Sequence, residues 1–102
     1  MHVISMMALR RFWEVHPEAE KPLRGWFTLA SDARWRSIAD VRKDYPHADA
    51  VPVASGNTAT IFNVAGNKYR LITCIHYNRR KVYVLRVFTH TEYDRENWKE
   101  QL

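Results

Sequence analysis

His90 and Tyr93 stand three residues apart in Thr89-His90-Thr91-Glu92-Tyr93-Asp94, just behind Arg86 and downstream of Lys68 and Arg70. An imidazole titrates near neutral pH and can take or give a proton. A phenol can stack on a base or share in proton transfer, and a guanidinium can hold phosphate through two parallel hydrogen bonds. Such a set suits strand transfer on RNA. RNA carries its own nucleophile, the 2′-hydroxyl beside the scissile phosphate. A protein need only remove that proton, stabilise the crowded phosphorane and protonate the leaving 5′-oxygen. Other chemistries lack their groups: the sequence has no glycine-rich phosphate loop, serine nucleophile elbow, paired helical His with Glu, or calcium loop. His76 and His90 lack a third ligand at diagnostic spacing, so neither a metal nor another cofactor is expected. The scarcity of carboxylates nearby argues against two-carboxylate hydrolysis.

The element that must position these groups is Thr58 to Asp94, which reads as a three-stranded antiparallel meander. Gly66-Asn67 separates two runs of β-branched and aromatic residues, and both residue types tolerate positive φ, so a hairpin is expected with Asn63 opposite Arg70. Asn78-Arg79-Arg80 forms the second turn. Alternation then places Asn63, Lys68, Arg70, Ile72, Cys74 and His76 on one face, and Phe62, Val64, Tyr69, Leu71 and Ile75 on the other, more apolar face. The second face is expected to meet the core. Charge is concentrated here too: from Ala50 to Thr91 there are six basic residues and no Asp or Glu, whereas the segments before and after carry +1 and −2. The whole excess of +5 sits on the meander. A one-sign field on a sheet points to a polyanionic partner, because each cation laid on a phosphate releases a counterion. Lys68, Arg70, Arg79, Arg80 and Lys81 are the expected RNA contacts, with the last three at a loop tip suited to backbone contact rather than chemistry.

The remaining elements supply the core. His2 to Ser5 reads as an edge strand with Ser5 capping a helix from Met6 to about His16. Pro17 opens a second helix with Glu18 and Glu20 near its positive end and a stripe of Leu23, Trp26, Phe27 and Ala30, although Pro22 and Gly25 weaken it. These two read as a helical hairpin across one face of the sheet. Ser37-Ile38-Ala39-Asp40 has the form of a capping box for a short helix ending before Pro46, with Trp35 as a core anchor. An irregular strand is expected within Ala50 to Ala54, and a polar helix anchored by Trp98 from Arg95 to Leu102. At 102 residues and 46% apolar content, one α+β domain spanning residues 1–102 is expected. No apolar run approaches a membrane span or a secretion signal, so membrane association is not expected and the cytoplasm is the default location. Cys74, the lone cysteine, reads as a small strand hydrophobe.

The blocks Phe62-Asn63-Val64-Ala65-Gly66-Asn67-Lys68-Tyr69-Arg70-Leu71-Ile72, Ile75-His76-Tyr77-Asn78 and Thr89-His90-Thr91-Glu92-Tyr93-Asp94 resemble the signature of HigB toxins in the RelE-like superfamily. Ala39-Asp40-Val41-Arg42 and the opening Met-x-Val-Ile-Ser extend the resemblance over nearly the whole chain. Ala65 stands where many relatives are expected to carry Gly. The resemblance implies a RelE-like fold with a helical hairpin on a small, mainly antiparallel twisted sheet. It also implies the toxin half of a type II toxin-antitoxin pair, an mRNA interferase acting on messages at the translating ribosome. The implied partner is a HigA-like helix-turn-helix antitoxin, through which alone operator DNA would be met. His90 and Tyr93 are the implied catalytic residues, with Arg86, Lys68 and Arg70 as phosphate or transition-state contacts. A noncatalytic nucleic-acid-binding module or operon co-repressor is the alternative reading of the same basic face.

Overall fold

The computed structural model describes residues 1–95 and 97–102. Glu96, which falls inside the C-terminal helix expected from Arg95 to Leu102, lies outside the described residues. The chain forms strands β1 (His2–Ile4), β2 (Asp49–Pro52), β3 (Thr58–Val64), β4 (Tyr69–His76) and β5 (Lys81–Thr89). Its helices are α1 (Met6–Val15), α2 (Glu20–Asp32), α3 (Ile38–Asp44), α4 (His90–Arg95) and α5 (Trp98–Gln101). This is the expected α+β architecture: one mixed sheet in the order β1-β5-β4-β3-β2, antiparallel except for the β1–β5 pair.

Local chemistry explains the helical hairpin. The Ser5 side chain accepts from Met7 N at 3.0 Å and starts α1. Pro17 opens a 3₁₀ turn, Pro17–Ala19, that runs directly into α2. Pro22 is the third residue of α2, where its missing N–H deprives no carbonyl of a partner, so the helix continues unbroken through Gly25. Leu9 and Trp13 of α1 and Leu23, Trp26 and Ala30 of α2 are buried against Phe62, Val64, Tyr69, Leu71 and Val82 of the sheet. Each such large side chain removed from water stabilises the fold by about 1.5–3 kcal/mol. Phe62 sits at the centre, with Trp26, Trp35 and Tyr45 rings within 6 Å of its own.

The expected capping box at α3 is not made. Ser37 occupies the cap position without a side-chain bond, and the Asp40 carboxylate accepts from the backbone N–H of Arg36 at 2.9 Å. Asp44 is engaged elsewhere, accepting from the Trp35 indole at 2.9 Å and fixing that ring in the core.

The hairpin register is as the sequence implies, with Asn63 opposite Arg70 and Val64 opposite Tyr69. Gly66 and Asn67 have φ of 58° and 88°, as a twisted two-residue hairpin turn requires, and Lys68 N closes it on Ala65 O at 3.3 Å. Ala65 is also left-handed, at φ 57°. A Cβ is strained there, which is the physical cost of alanine where glycine was expected.

Two features lay beyond simple alternation. Ile72 pairs with Arg86 but Thr73 pairs with Val84, so Leu85 is an extra residue in β5. Without that bulge, Arg86 would share a face with Val82 and Val84; with it, Arg86 stands across from Ile72. Moreover, the sheet face away from the hairpin has its own small core. Ala59, Ile61 and Ile72 are buried under Trp98 of α5, with Tyr93, Phe88 and Leu102 packed alongside. The C-terminal tail thus covers the β2–β3 side of this face, tied to the β2–β3 loop where Ala54 N donates to Lys99 O at 2.9 Å.

Candidate RNA-cleaving site

The candidate residues separate into two groups at opposite ends of the β4–β5 hairpin. Tyr69 pairs with Thr89 at one end and His76 with Lys81 at the other. With β4 eight residues long, about 23 Å divides them. Lys68, Arg70, His90 and Tyr93 gather at the first end, with Arg86 a few residues along β5. Arg79, Arg80 and Lys81 lie at the second.

At the first end, β5 does not run out into a loop but turns straight into α4. Thr89 Oγ1 accepts from Glu92 N at 3.2 Å, and the Glu92 carboxylate accepts in return from Thr89 N at 2.8 Å. These reciprocal bonds satisfy two of the donors a helix start leaves free. Position 90 is thereby the first helical residue, and His90 N donates to Lys68 O at 3.0 Å, anchoring the turn to the neighbouring hairpin. Because α4 is helical, His90, Tyr93 and Asp94 share one side of it. His90 Nε2 lies 3.3 Å from Asp94 Oδ2, with both side chains more than half exposed. The carboxylate holds the imidazole in one orientation on the face of α4.

Tyr93 is half-buried, its ring 5.5 Å from that of Trp98. Burial pushes its phenol above the ordinary value, Asp49 and Asp94 add to that, and Arg70 opposes them. Like any phenol, the Tyr93 hydroxyl carries its proton at neutral pH and can donate it to a hydrogen bond. Arg70 was expected on the RNA, yet it is only 9% exposed. Its guanidinium donates to Asn67 O at 3.0 Å and lies over the Tyr93 ring at 5.6 Å. The structure places it behind Tyr93, bracing the turn and the ring together. Arg86 is exposed and uses one guanidinium N–H on Leu85 O at 2.8 Å. It lines a groove of about 400 Å³ with Arg11, Phe12 and His16 of the hairpin and Glu92 of α4.

At the second end the loop cations gain company. A 3₁₀ turn, Tyr77–Arg79, leads to Arg80 in a left-handed conformation, and His2 N donates to Arg80 O at 2.7 Å. Arg34 and Arg36, remote in sequence, meet Arg80 around a cavity of about 150 Å³ that Trp35 and Tyr77 also line. Trp35 itself is buried, as a core anchor should be.

Sequence reasoning missed three things here. Asp94 as the partner of His90 was findable, because Thr89-x-x-Glu92 is a capping-box pattern that makes positions 90 and 94 neighbours one turn apart. The meeting of Arg34 and Arg36 with Arg80 left no local signal. Nor did the tail's occupation of the sheet face, beyond the isolated Trp98.

Among the described residues no group of three His, Cys, Asp or Glu side chains is placed to share a metal ion, and no helix is long and apolar enough to cross a membrane. A twisted sheet with a helical hairpin on one face and basic, imidazole and phenol groups at the meander's end defines a RelE-like class of fold. A family model described as HigB_toxin, the RelE-like toxic component of a toxin-antitoxin system, matches residues 19–96. The chain belongs to the HigB toxin family. It is 26% identical over 94 residues to the "mRNA interferase toxin HigB" of Escherichia coli strain K12, covering 92% of this chain and 88% of the relative. The proteins named "mRNA interferase HigB" in Escherichia coli O157:H7 and Shigella flexneri match with the same identity and coverage.

Proposed function

We propose that this toxin is an endoribonuclease that cleaves mRNA at the translating ribosome, and that a HigA-like helix-turn-helix antitoxin neutralises it. The observation that carries the reading is the grouping of His90, Asp94, Tyr93, Lys68 and Arg86 at one end of an acid-free basic hairpin. His90, held by Asp94, removes the proton of the RNA 2′-hydroxyl. The 2′-oxygen attacks the adjacent phosphorus, Arg86 and Lys68 balance the charge that builds on the phosphorane, and the bond to the 5′-oxygen breaks. Tyr93, a phenol that carries its proton at neutral pH, supplies a proton to that leaving oxygen. The products are a 2′,3′-cyclic phosphate and a free 5′-hydroxyl, and no metal is needed.

The distal cations, Arg79, Arg80 and Lys81, with Arg34 and Arg36, serve docking. They lie too far from His90 to touch the same phosphate, and their charge suits ribosomal RNA backbone. The whole of residues 1–102 acts as one domain in the cytoplasm, where mRNA is translated, and operator DNA is met only in complex with the antitoxin.

The test is tightly induced expression with 5′-end mapping of cellular RNA, comparing the wild type with His90→Ala/Tyr93→Ala. New cuts within translated frames, absent from a folded double mutant, are the expected result. Equal cutting by the folded double mutant would remove the chemistry from α4. No cuts by soluble wild type would leave a binding or co-repressor role for the same basic surface.

A further inference from the structure

The sheet face that carries Tyr93 also holds a cavity of about 390 Å³ at the other side of the C-terminal tail, which the mechanism above does not use. Cys74 and His76 of β4 lie four and six residues along the strand from Arg70, so the cavity sits about 13–20 Å from that residue. Small side chains at Ala59 and Cys74 leave the room. His76 and Tyr83 form one wall, with ring centroids 5.2 Å apart and planes at 74°. Leu102, at the end of the tail, contributes apolar surface. Polar groups sit at the mouth: the Asn57 amide, which donates to Ser55 Oγ at 3.2 Å, and the Thr58 hydroxyl. Among the described residues no Asp or Glu side chain lines the cavity, and Lys81 pairs with His76 across the ladder.

We propose that this cavity is a nucleobase pocket, taking one unstacked base of the RNA that lies across the hairpin. The proposal rests on the RNA-cleaving reading above and adds a source of selectivity to it. An apolar cleft of this volume, with a pair of aromatic rings and a few convergent polar groups, matches what a flat heterocycle needs: a face to stack on and an edge to hydrogen-bond. Lys81 beside His76, with no Asp or Glu side chain among the described lining residues, favours a base attached to a phosphate chain over a neutral apolar ligand. The separation from His90 and Tyr93 means that the base is near the scissile phosphate but not beside it. Base identity at that position, and not the chemistry at α4, would then decide where a message is cut. The base can come from the message or from ribosomal RNA, and the two sources are separable.

The experiment titrates the full chain with four short 2′-O-methyl oligonucleotides that differ at a single base, following the His76 and Tyr83 resonances by NMR. These probes cannot be cleaved, so binding is read independently of catalysis. The expected result is movement of both resonances and a preference of about tenfold for one base, the size that one edge hydrogen bond supports on top of base-tolerant stacking. Tyr83→Leu abolishes the preference, and Tyr83→Phe, which keeps the ring, retains it. Resonances that stay still, or equal binding of all four probes, overturn the pocket. Cut-site mapping and ribosome pelleting with Tyr83→Leu assign the source. Relaxed base preference at a fixed distance from the cut, with unchanged pelleting, identifies a message base; weakened pelleting with unchanged cut preference identifies a ribosomal one. Base-selective binding by a protein that makes no cuts would support the pocket while removing the ribonuclease reading. Cuts by a protein whose pocket resonances never move would do the reverse.

Discussion

The two ends of the β4–β5 hairpin carry similar charge and opposite organisation. At the His90 end one cation is built in: Arg70 is buried, bonded to a turn carbonyl and laid against Tyr93, whereas Lys68 and Arg86 are exposed. At the far end, Arg79 and Arg80 are exposed, and Lys81 is half-buried. The lesson is that a row of basic residues in a sequence is not a row of equivalent contacts. A cation that is desolvated and hydrogen-bonded shapes the site, whereas one left in water remains available to a partner at the price of having little structural effect.

The largest effect that tests this contrast is catalytic. His90→Ala should lower single-turnover cleavage by about 10²- to 10⁴-fold while leaving ribosome binding unchanged, since it removes a proton-transfer group and no docking charge. A parallel loss of binding would merge the two ends into one surface. Replacing Arg79, Arg80 and Lys81 together by Ala should do the opposite. The slope of log affinity against log salt should flatten by about 2 to 3 as three phosphate contacts disappear, with cleavage at saturating ribosome little altered.

Stability sharpens the contrast further. Arg70→Met should cost about 1.5–3 kcal/mol in denaturant unfolding, because a charged donor to the Asn67 carbonyl is lost from a buried position. Arg79→Ala should change stability by less than about 0.5 kcal/mol. Equal effects would mean that Arg70 is not the buried brace the structure draws. Ala65→Gly should stabilise by about 1 kcal/mol by relieving the left-handed backbone at that turn.

The smallest effect is pH-linked and lies at the contact between the helical hairpin and β4. The Tyr69 hydroxyl donates to the Glu18 carboxylate at 2.7 Å, which pushes the Tyr69 pKa from 10.0 up to about 12. A raised folded-state pKa means stability that is complete below pH 10 and lost as the pH rises toward 12. The partner shift runs the other way: the same bond holds Glu18 below the carboxylate range, so its contribution is present above that range and fades as the pH falls through the depressed pKa. Tyr69→Phe should remove both limbs from a plot of melting temperature against pH, and persistence of the alkaline limb would assign it to another tyrosine.

Much of this molecule was legible before folding, and the reason is local in each case. Ser5 as a cap, the Gly66-Asn67 turn, the pairing of Asn63 with Arg70 and the division of β4 into two faces all follow from backbone preferences and period-two alternation, which neighbouring residues decide between themselves. The capping box at Ser37 was local as well, but weak, and Asp40 took the nearer N–H of Arg36. His90 and Tyr93 were found by residue type and by family pattern. Asp94 was overlooked because the residues after Phe88 were read as the meander's exit, not as a capped helix.

What the sequence alone determined, then, is the inventory: the acid-free basic hairpin, the imidazole and phenol at its end, and the apolar face that seeks the helices. Tertiary structure decided how that inventory is deployed. The extra residue at Leu85 sets Arg86 across from Ile72, Trp98 closes part of the second sheet face, Arg34 and Arg36 arrive beside Arg80, and Arg70 is withdrawn from solvent. Each of these depends on residues far apart in the chain coming to share one volume, and neither residue type nor periodicity specifies which cations that volume will bury and which it will leave in water.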